Sequence, residues 1–411
     1  MSGLQKLLIL ILFSTFVFAG DVTYTKRNNN YLREGPASYF ALIEIVPAAT
    51  KLEVIEKNQN WLKVKCNNKT GWIAGNCISD REPDKSMAEK LIKTWSSTKA
   101  SKTGIAAAIK GFDKKSDKDL AGDVDLLLEL TANTFTDKQF SEFKKELAGK
   151  SKNKNRNHLD DLDLEIPDYD PSIKELQVGT GVASRLLSAG VINDREINNY
   201  VNMICDAVVE SSQMYDWDFS VLIADDEKIN GYACPGGYIF ITKGAILKCA
   251  DEAELAAIIA HEMAHVVRRH GLQEMTQRKV QIKADDAFAE LQEDVQADTD
   301  SISAELENLM VNSYEKIMHE RLLGYETEAD LISSVFIANA GYDPYGIVRA
   351  TKILYQLSSE QKDIFDDDYL APNDSQIRYE KINKFVNDEY VKDNPETRSL
   401  QRFIKFRDLL K

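Results

Sequence analysis

The sequence predicts a multidomain α+β protein: a small all-β barrel at the N-terminus, then a mainly helical domain carrying a small β-sheet. Three observations predict it. In the first 80 residues, Leu52 and Val54, then Leu62, Val64 and Cys66, alternate with charged or polar positions, the period of a strand. In the second half, apolar runs such as Leu255–Ala260 and Leu331–Ile337 follow helix-start signals and end at glycine. Between them, Pro235–Thr242 alternates and is flanked by glycines, which reads as an edge strand able to bind an extended peptide by β-addition.

Taken in order, Met1–Ala19 has one lysine (Lys6), an apolar core Leu7–Leu12 continuing through Phe18, and a Val17-x-Ala19 ending. That is a secretory signal peptide cut before Gly20, with an uncleaved anchor as the alternative. No later apolar run approaches the roughly 18 residues of a spanning helix. The mature chain is expected to be exported, to the periplasm or beyond, without a transmembrane span. Residues 20–80 are the barrel, with turns at Asn58-Gln59-Asn60 and Asn67–Thr70. Residues 81–171 hold a helical segment and a linker. Thr136-x-x-Gln139 is a capping box opening a helix to Leu147, and Leu126, Leu127, Leu128 and Leu130 call for burial. Lys150–Asn157 is basic and Asn-rich and Asp160–Asp170 is acidic, the texture of a solvated linker rather than of a cover for a site. Residues 172–411 are the helical domain. Within it, Leu272–Glu320 is charged and helix-prone, and reads equally as a lid or as amphipathic helices packed on the surface.

The candidate chemistry lies in that domain. Three of the five histidines, His261, His265 and His270, fall within ten residues. On a helix, His261 and His265 are one turn apart on one face, so both rings reach a common ion. Zn²⁺ takes imidazole nitrogen at about 2.0–2.1 Å in a compact tetrahedral shell. Glu262 is rotated by about 100° from His261, beside such an ion rather than on it, where a base for water belongs. The helix has marked ends: Asp251 and Glu254 form a capping box, Arg268 and Arg269 suit its last turn, and Gly271 is placed to terminate it. A third ligand is needed, and Glu326-Thr-Glu-Ala-Asp330 supplies one ahead of the next helical run, which stops at Gly341. Glu326 and Asp330 share a face, so Glu326 is the expected ligand. Asp330 is the expected acceptor for the second N–H of a ligand histidine.

Together with Asn230-Gly-Tyr-Ala-Cys-Pro-Gly-Gly-Tyr-Ile-Phe-Ile-Thr-Lys-Gly244 and Gly341-Tyr-Asp-Pro344, these motifs resemble the M48 family of gluzincin metallopeptidases over about residues 172–400. The family includes membrane-embedded prenyl-protein peptidases and periplasmic quality-control proteases. The resemblance implies a zincin-type domain with one Zn²⁺ per chain on His261, His265 and Glu326, Glu262 as general base and acid, and Asp330 orienting the first histidine. It also implies that Asn230, Gly236, Gly237, Tyr238 and Arg378 meet substrate, with core packing as the alternative for Tyr238. One departure is Ala371, where periplasmic members often carry a histidine; Pro372 and Arg378 remain. The implied function is an exported zinc metalloendopeptidase acting on proteins, in the sense of envelope quality control. The alternative is a cell-wall or envelope-assembly binding or chaperone protein.

The N-terminal module resembles a bacterial SH3 domain through Leu32-Arg-Glu-Gly-Pro36, Trp61-Leu-Lys-Val64 and Lys69-Thr-Gly-Trp-Ile73. That resemblance implies a peptidoglycan or peptide ligand, or docking on its own enzyme; Trp61 and Trp72 fit a groove or the barrel core equally. Net charge is −15, and −16 once Lys6 leaves with the signal, which argues against nucleic acid and anionic membranes. Five cysteines in an exported chain permit disulfides, Cys66–Cys77 first, but leave one over.

Overall fold

A computed structural model of the chain describes residues 21–82, 123–147, 173–271, 308–314, 322–360, 372–391 and 399–411, apart from Asn28 and Asn133, together with Ile166, Pro171 and Ile317. The described residues fall into two compact units, one formed by the N-terminal strands and one holding all described residues from 123 onward. The signal segment, the 148–165 linker and Ala371 lie outside the described residues.

The N-terminal unit is the expected all-β module. Its strands are β1 (Val22–Thr25), β2 (Asn30–Arg33), β3 (Leu42–Val46), β4 (Lys51–Asn58), β5 (Trp61–Cys66), β6 (Lys69–Ala74) and β7 (Ile78–Ser79). They form one seven-stranded sheet in the order β3-β2-β6-β5-β4-β1-β7, every pair antiparallel. The alternation read from sequence is the one observed: Leu52, Val54, Leu62, Val64 and Cys66 are buried while Glu53 and Lys65 are exposed. Trp61 belongs to the core. Trp72 is half-buried, with the Lys63 ammonium 5.8 Å from its ring. Cys66 and Cys77 do not pair. All five cysteines are buried and outside any disulfide, and Cys77 Sγ accepts from the Arg27 guanidinium at 3.3 Å.

The second unit contains α1 (Val124–Leu130), α2 (Asp137–Leu147), α3 (Ile173–Leu187), α4 (Arg195–Glu210), β8 (Ser220–Ala224), β9 (Gly231–Cys234), β10 (Tyr238–Thr242), α5 (Lys243–Lys248), α6 (Glu252–Val267), α7 (Leu323–Ala340), α8 (Tyr345–Glu360), α9 (Pro372–Glu389) and α10 (Leu400–Leu409). The Thr136 capping box forms as expected: Gln139 Oε1 accepts from Thr136 N at 2.8 Å, and Thr136 Oγ1 accepts from Gln139 N at 3.3 Å. Leu127 is fully buried and Leu128 exposed, so that leucine run presents only one face to the core. The described part of the long insert, 308–314, is helical and packs inward; Met310 is fully buried in a cluster with Val178, Val182 and Leu222.

The three-stranded sheet has the order β8-β10-β9, with β10 parallel to β8 and antiparallel to β9. This corrects the expectation that Pro235–Thr242 is an edge strand. Tyr238–Thr242 is the central strand, which explains its nearly unbroken apolar run better than one-sided burial does. The outer side of β8 is already occupied. Asn202 of α4 accepts from Val221 N and donates to Val221 O, both at 2.9 Å, and Ile192 N donates to Ile223 O. The remaining edge is β9.

Helix α7 ends as its sequence requires. Gly341 takes φ +98°, its N–H bonds to Ala338 O, and Tyr342 N closes on Ile337 O at 2.9 Å. A Cβ at 341 would meet the Leu147 carbonyl at 3.2 Å in a left-handed conformation that L-residues resist. Gly341→Ala is therefore expected to lower stability by about 1–2 kcal/mol, read as a shifted urea midpoint at unchanged slope.

Candidate metal centre

The site is built on α6. Asp251 caps its N-terminus, accepting from Glu254 N at 3.0 Å, and Glu254 Oε2 accepts from Ala250 N at 2.7 Å, one residue short of the reciprocal bond expected at Asp251 itself. Arg349 of α8 fastens this end, reaching Glu254 at 2.8 Å, Asp251 at 3.0 Å and Asp343 at 2.6 Å. Nearly every residue of α6 is buried, as its apolar sequence demands. The helix ends at Val267, and the left-handed residue beyond it is Arg269 (φ +52°), not Gly271. Arg269 tolerates that conformation while its Nε contacts Glu175 at 3.3 Å.

Helix α7 packs on α6, with Ser333 Oγ donating to Ala257 O at 2.7 Å. That packing brings the two motifs together. His261 Nε2 and His265 Nε2 are 3.0 Å apart, and Glu326 offers Oε2 at 3.3 Å from the first and Oε1 at 3.1 Å from the second. Ligands about 2.0–2.1 Å from a tetrahedral ion lie about 3.3–3.4 Å from one another, and the two imidazole nitrogens and the Glu326 oxygens are spaced on that scale. Two imidazole nitrogens and one carboxylate also form a donor set typical of zinc, and His261, His265 and Glu326 make the one metal-competent group found among the described residues. The residues therefore fit the ion.

The surroundings hold these ligands in place. His261 Nδ1 lies 2.9 Å from Asp330 Oδ1, as expected of an orienting carboxylate. Arg378, from α9, bonds Asp330 through Nε at 2.9 Å and Nη2 at 2.8 Å, and reaches Glu326 Oε2 through Nη1 at 2.8 Å. Glu326, Asp330 and Arg378 are all essentially buried. Burial by itself would lower the His261 pKa, but the Asp330 and Glu326 carboxylates outweigh it and raise it to about 9. In the metal-free protein a proton thus competes for the nitrogen an ion needs. Burial pushes Asp330 up, and Arg378 with His261 overcomes this and holds it below the usual carboxylate range.

Glu262 points to the other side of the pair, where its carboxylate lies against the Cα of Gly231 in β9. A cleft opens there, with His261, Glu262 and Glu326 on one wall and Ile258, Ile347 and Leu354 among its apolar lining. Asn230 and Arg378 line the same cleft. A smaller recess beside His265 is bounded by Ala233 and Pro235, so β9 runs from one hollow to the other past the ligands.

Other expected substrate contacts are placed differently. Gly236 and Gly237 take φ +85° and +99° in the turn between β9 and β10, against Leu176 and Asp218. Tyr238 packs against the buried cluster, its hydroxyl 3.4 Å from Thr180 Oγ1. These residues answer to turn geometry and core packing, the alternative already open for Tyr238. Sequence reading missed Arg378 as a holder of the ligands, and it missed the partners of His270. The signals were present as a basic residue beyond the motif and a third clustered histidine.

A profile of peptidase family M48 matches residues 195–373, and one of the bacterial SH3 domain matches residues 28–79. A putative beta-barrel assembly-enhancing protease of Vibrio cholerae is 38% identical over 80 residues, 20% of this chain and 16% of that protein. A beta-barrel assembly-enhancing protease of Escherichia coli is 29% identical over 98 residues, 24% of this chain and 20% of its own. A mitochondrial metalloendopeptidase of Schizosaccharomyces pombe is 29% identical over 158 residues, 38% and 42% of the two chains. The chain spans less than half the length of each of these relatives. Among the described residues no helix is long and apolar enough to cross a membrane. With a metal-competent triad inside the first matched region and a seven-stranded antiparallel sheet over the second, the chain carries a peptidase family M48 domain preceded by a bacterial SH3 domain.

Proposed function

We propose that the chain is an exported zinc-dependent endopeptidase that cleaves unfolded or misassembled envelope proteins. One observation carries the reading: His261 Nε2, His265 Nε2 and the two oxygens of the Glu326 carboxylate converge at 3.0–3.3 Å, with the Glu262 carboxylate beside them at the mouth of a cleft. The relatives' printed names, beta-barrel assembly-enhancing proteases among them, support a protease connected with protein assembly.

His261, His265 and Glu326 would hold the ion, which when bound supplies Lewis-acid polarisation of a peptide carbonyl and eases ionisation of water. The protein's own groups do the rest. β9 is the outer strand of the sheet, and an extended segment laid along it would have its scissile bond aligned with α6. The apolar cleft beside Glu262 suits an apolar side chain next to that bond. Glu262 takes the proton from the attacking water and delivers it to the departing amine, so the base of the first step is the acid of the second. Arg378 and Asp330 keep Glu326 and His261 in register throughout. The SH3-type module is assigned to peptidoglycan or peptide recognition, with half-buried Trp72 as its aromatic contact.

Cleavage of casein, or of an unfolded outer-membrane protein, should stop on chelation and return on adding back zinc. Cleavage that persists without metal would overturn the reading. Retention of unfolded protein without any cleavage would favour the binding or chaperone alternative.

A further inference from the structure

His270 has no part in the ligand set, yet it is buried against it. It is 2% exposed, its Nδ1 lies 2.9 Å from His265 Nδ1, and the two rings stand at 78° with centroids 4.9 Å apart. Tyr325 stacks on its other face at 4.3 Å and 12°. Its Nε2 lies 3.6 Å from Glu328 Oε1, near the carboxylate but beyond direct hydrogen-bond reach, and Glu328 is in turn bonded by Arg268 Nε. The two ligand histidines therefore differ in support: His261 has a carboxylate behind it, and His265 has another imidazole.

We propose that His270, backed by Glu328, is the positioning residue that fixes the tautomer and ring orientation of His265 for metal binding. The proton arrangement follows from valence. A histidine that presents the Nε2 lone pair to an ion carries its hydrogen on Nδ1. The facing Nδ1 of His270 must then be the acceptor, which places the hydrogen of His270 on Nε2, directed at Glu328. The opposite arrangement puts a hydrogen on His265 Nε2, where it would bond to His261 Nε2 3.0 Å away and leave no lone pair there for the ion. Tyr325 and Arg268 hold the outer members, so the order along the relay is His265, His270, Glu328, Arg268. Loss of an orienting partner of a metal-ligating histidine lowers affinity by about 10–100-fold.

The inference rests on the zinc reading of the triad, and its test separates the two. Zinc affinity of the full chain is measured by competition with a chromophoric chelator, alongside circular dichroism to follow folding. His270→Leu, which fills the space without an acceptor, should bind zinc about 10–100-fold more weakly than the parent. His270→Gln, whose side-chain oxygen accepts, should recover much of the loss. Glu328→Gln should show a smaller loss in the same direction. Equal zinc affinity in parent, His270→Leu and His270→Gln overturns this inference and leaves the metal site intact. A parent that binds no zinc overturns both. Should His270→Leu fail to fold, long-range ¹⁵N–¹H spectra of the zinc-loaded parent decide: hydrogen on Nδ1 of His265 and Nε2 of His270 supports the relay, and the reverse tautomers overturn it.

Discussion

Glu262→Gln is expected to leave zinc stoichiometry unchanged and to lower kcat for peptide cleavage by about 10²–10⁴-fold, the usual contribution of a general base and acid. Glutamine has the size and shape of glutamate, so its packing against Gly231 is preserved. It cannot accept and return a proton. The Glu262 carboxylate is separate from the three donor atoms that converge on one another, so metal content has no reason to change. Glu326→Ala makes the contrast, because it removes one corner of the triangle and should lower metal content and activity together. The measurement is kcat on a fluorogenic peptide beside metal analysis of the same preparation. A Glu262→Gln protein with parental kcat would take the proton-transfer role away from Glu262; one that lost its metal would place Glu262 among the ligands.

Both motifs that build the centre were legible because helical spacing is local. Residues four apart share a face whatever the rest of the fold does, so His261 with His265, and Glu326 with Asp330, could be paired within their own helices. Their meeting across α6 and α7 was also readable, since zinc chemistry requires a third ligand and the sequence offers one acidic helix start in a suitable place. The helix stop at Gly341 and the Thr136 capping box were similarly local and came out as expected.

What failed to be legible was non-local. Strand order is set by which element covers which edge, and nothing within Pro235–Thr242 reveals that Asn202 of α4 closes the far side of β8. Reading the strand as an edge was the error, and the positive φ of the turn glycines and the packing of Tyr238 go with β10 being central. The end of α6 was misplaced because Arg269 adopts the positive φ that glycine usually supplies. Arg378 lies 48 residues from Asp330, and the bend of chain that returns it to the site has no spacing rule.

Arg378 also carries the larger expected effect on stability. Its guanidinium is 4% exposed and serves both Asp330 and Glu326, themselves 1% exposed. Arg378→Leu keeps most of the volume but strands two buried carboxylates beside each other, and breaking a buried ion pair from one side costs about 3–5 kcal/mol. The metal-free protein should feel this most, because a bound divalent cation supplies compensating charge; zinc should therefore narrow the gap between variant and parent. The pH dependence has a definite sign. In the parent, Asp330 has a folded pKa below its unfolded value, so its contribution is present above the unfolded pKa and is lost as pH falls through the folded one. In the variant the chief group lowering Asp330 is gone while burial still raises it, so protonation relieves the strain, and the stability gap should shrink as pH falls from neutral into the acidic range. Urea unfolding of both metal-free proteins at neutral and mildly acidic pH reads this directly. A gap that is constant with pH would mean that the loss came from packing, and that the guanidinium does not hold Asp330 ionised.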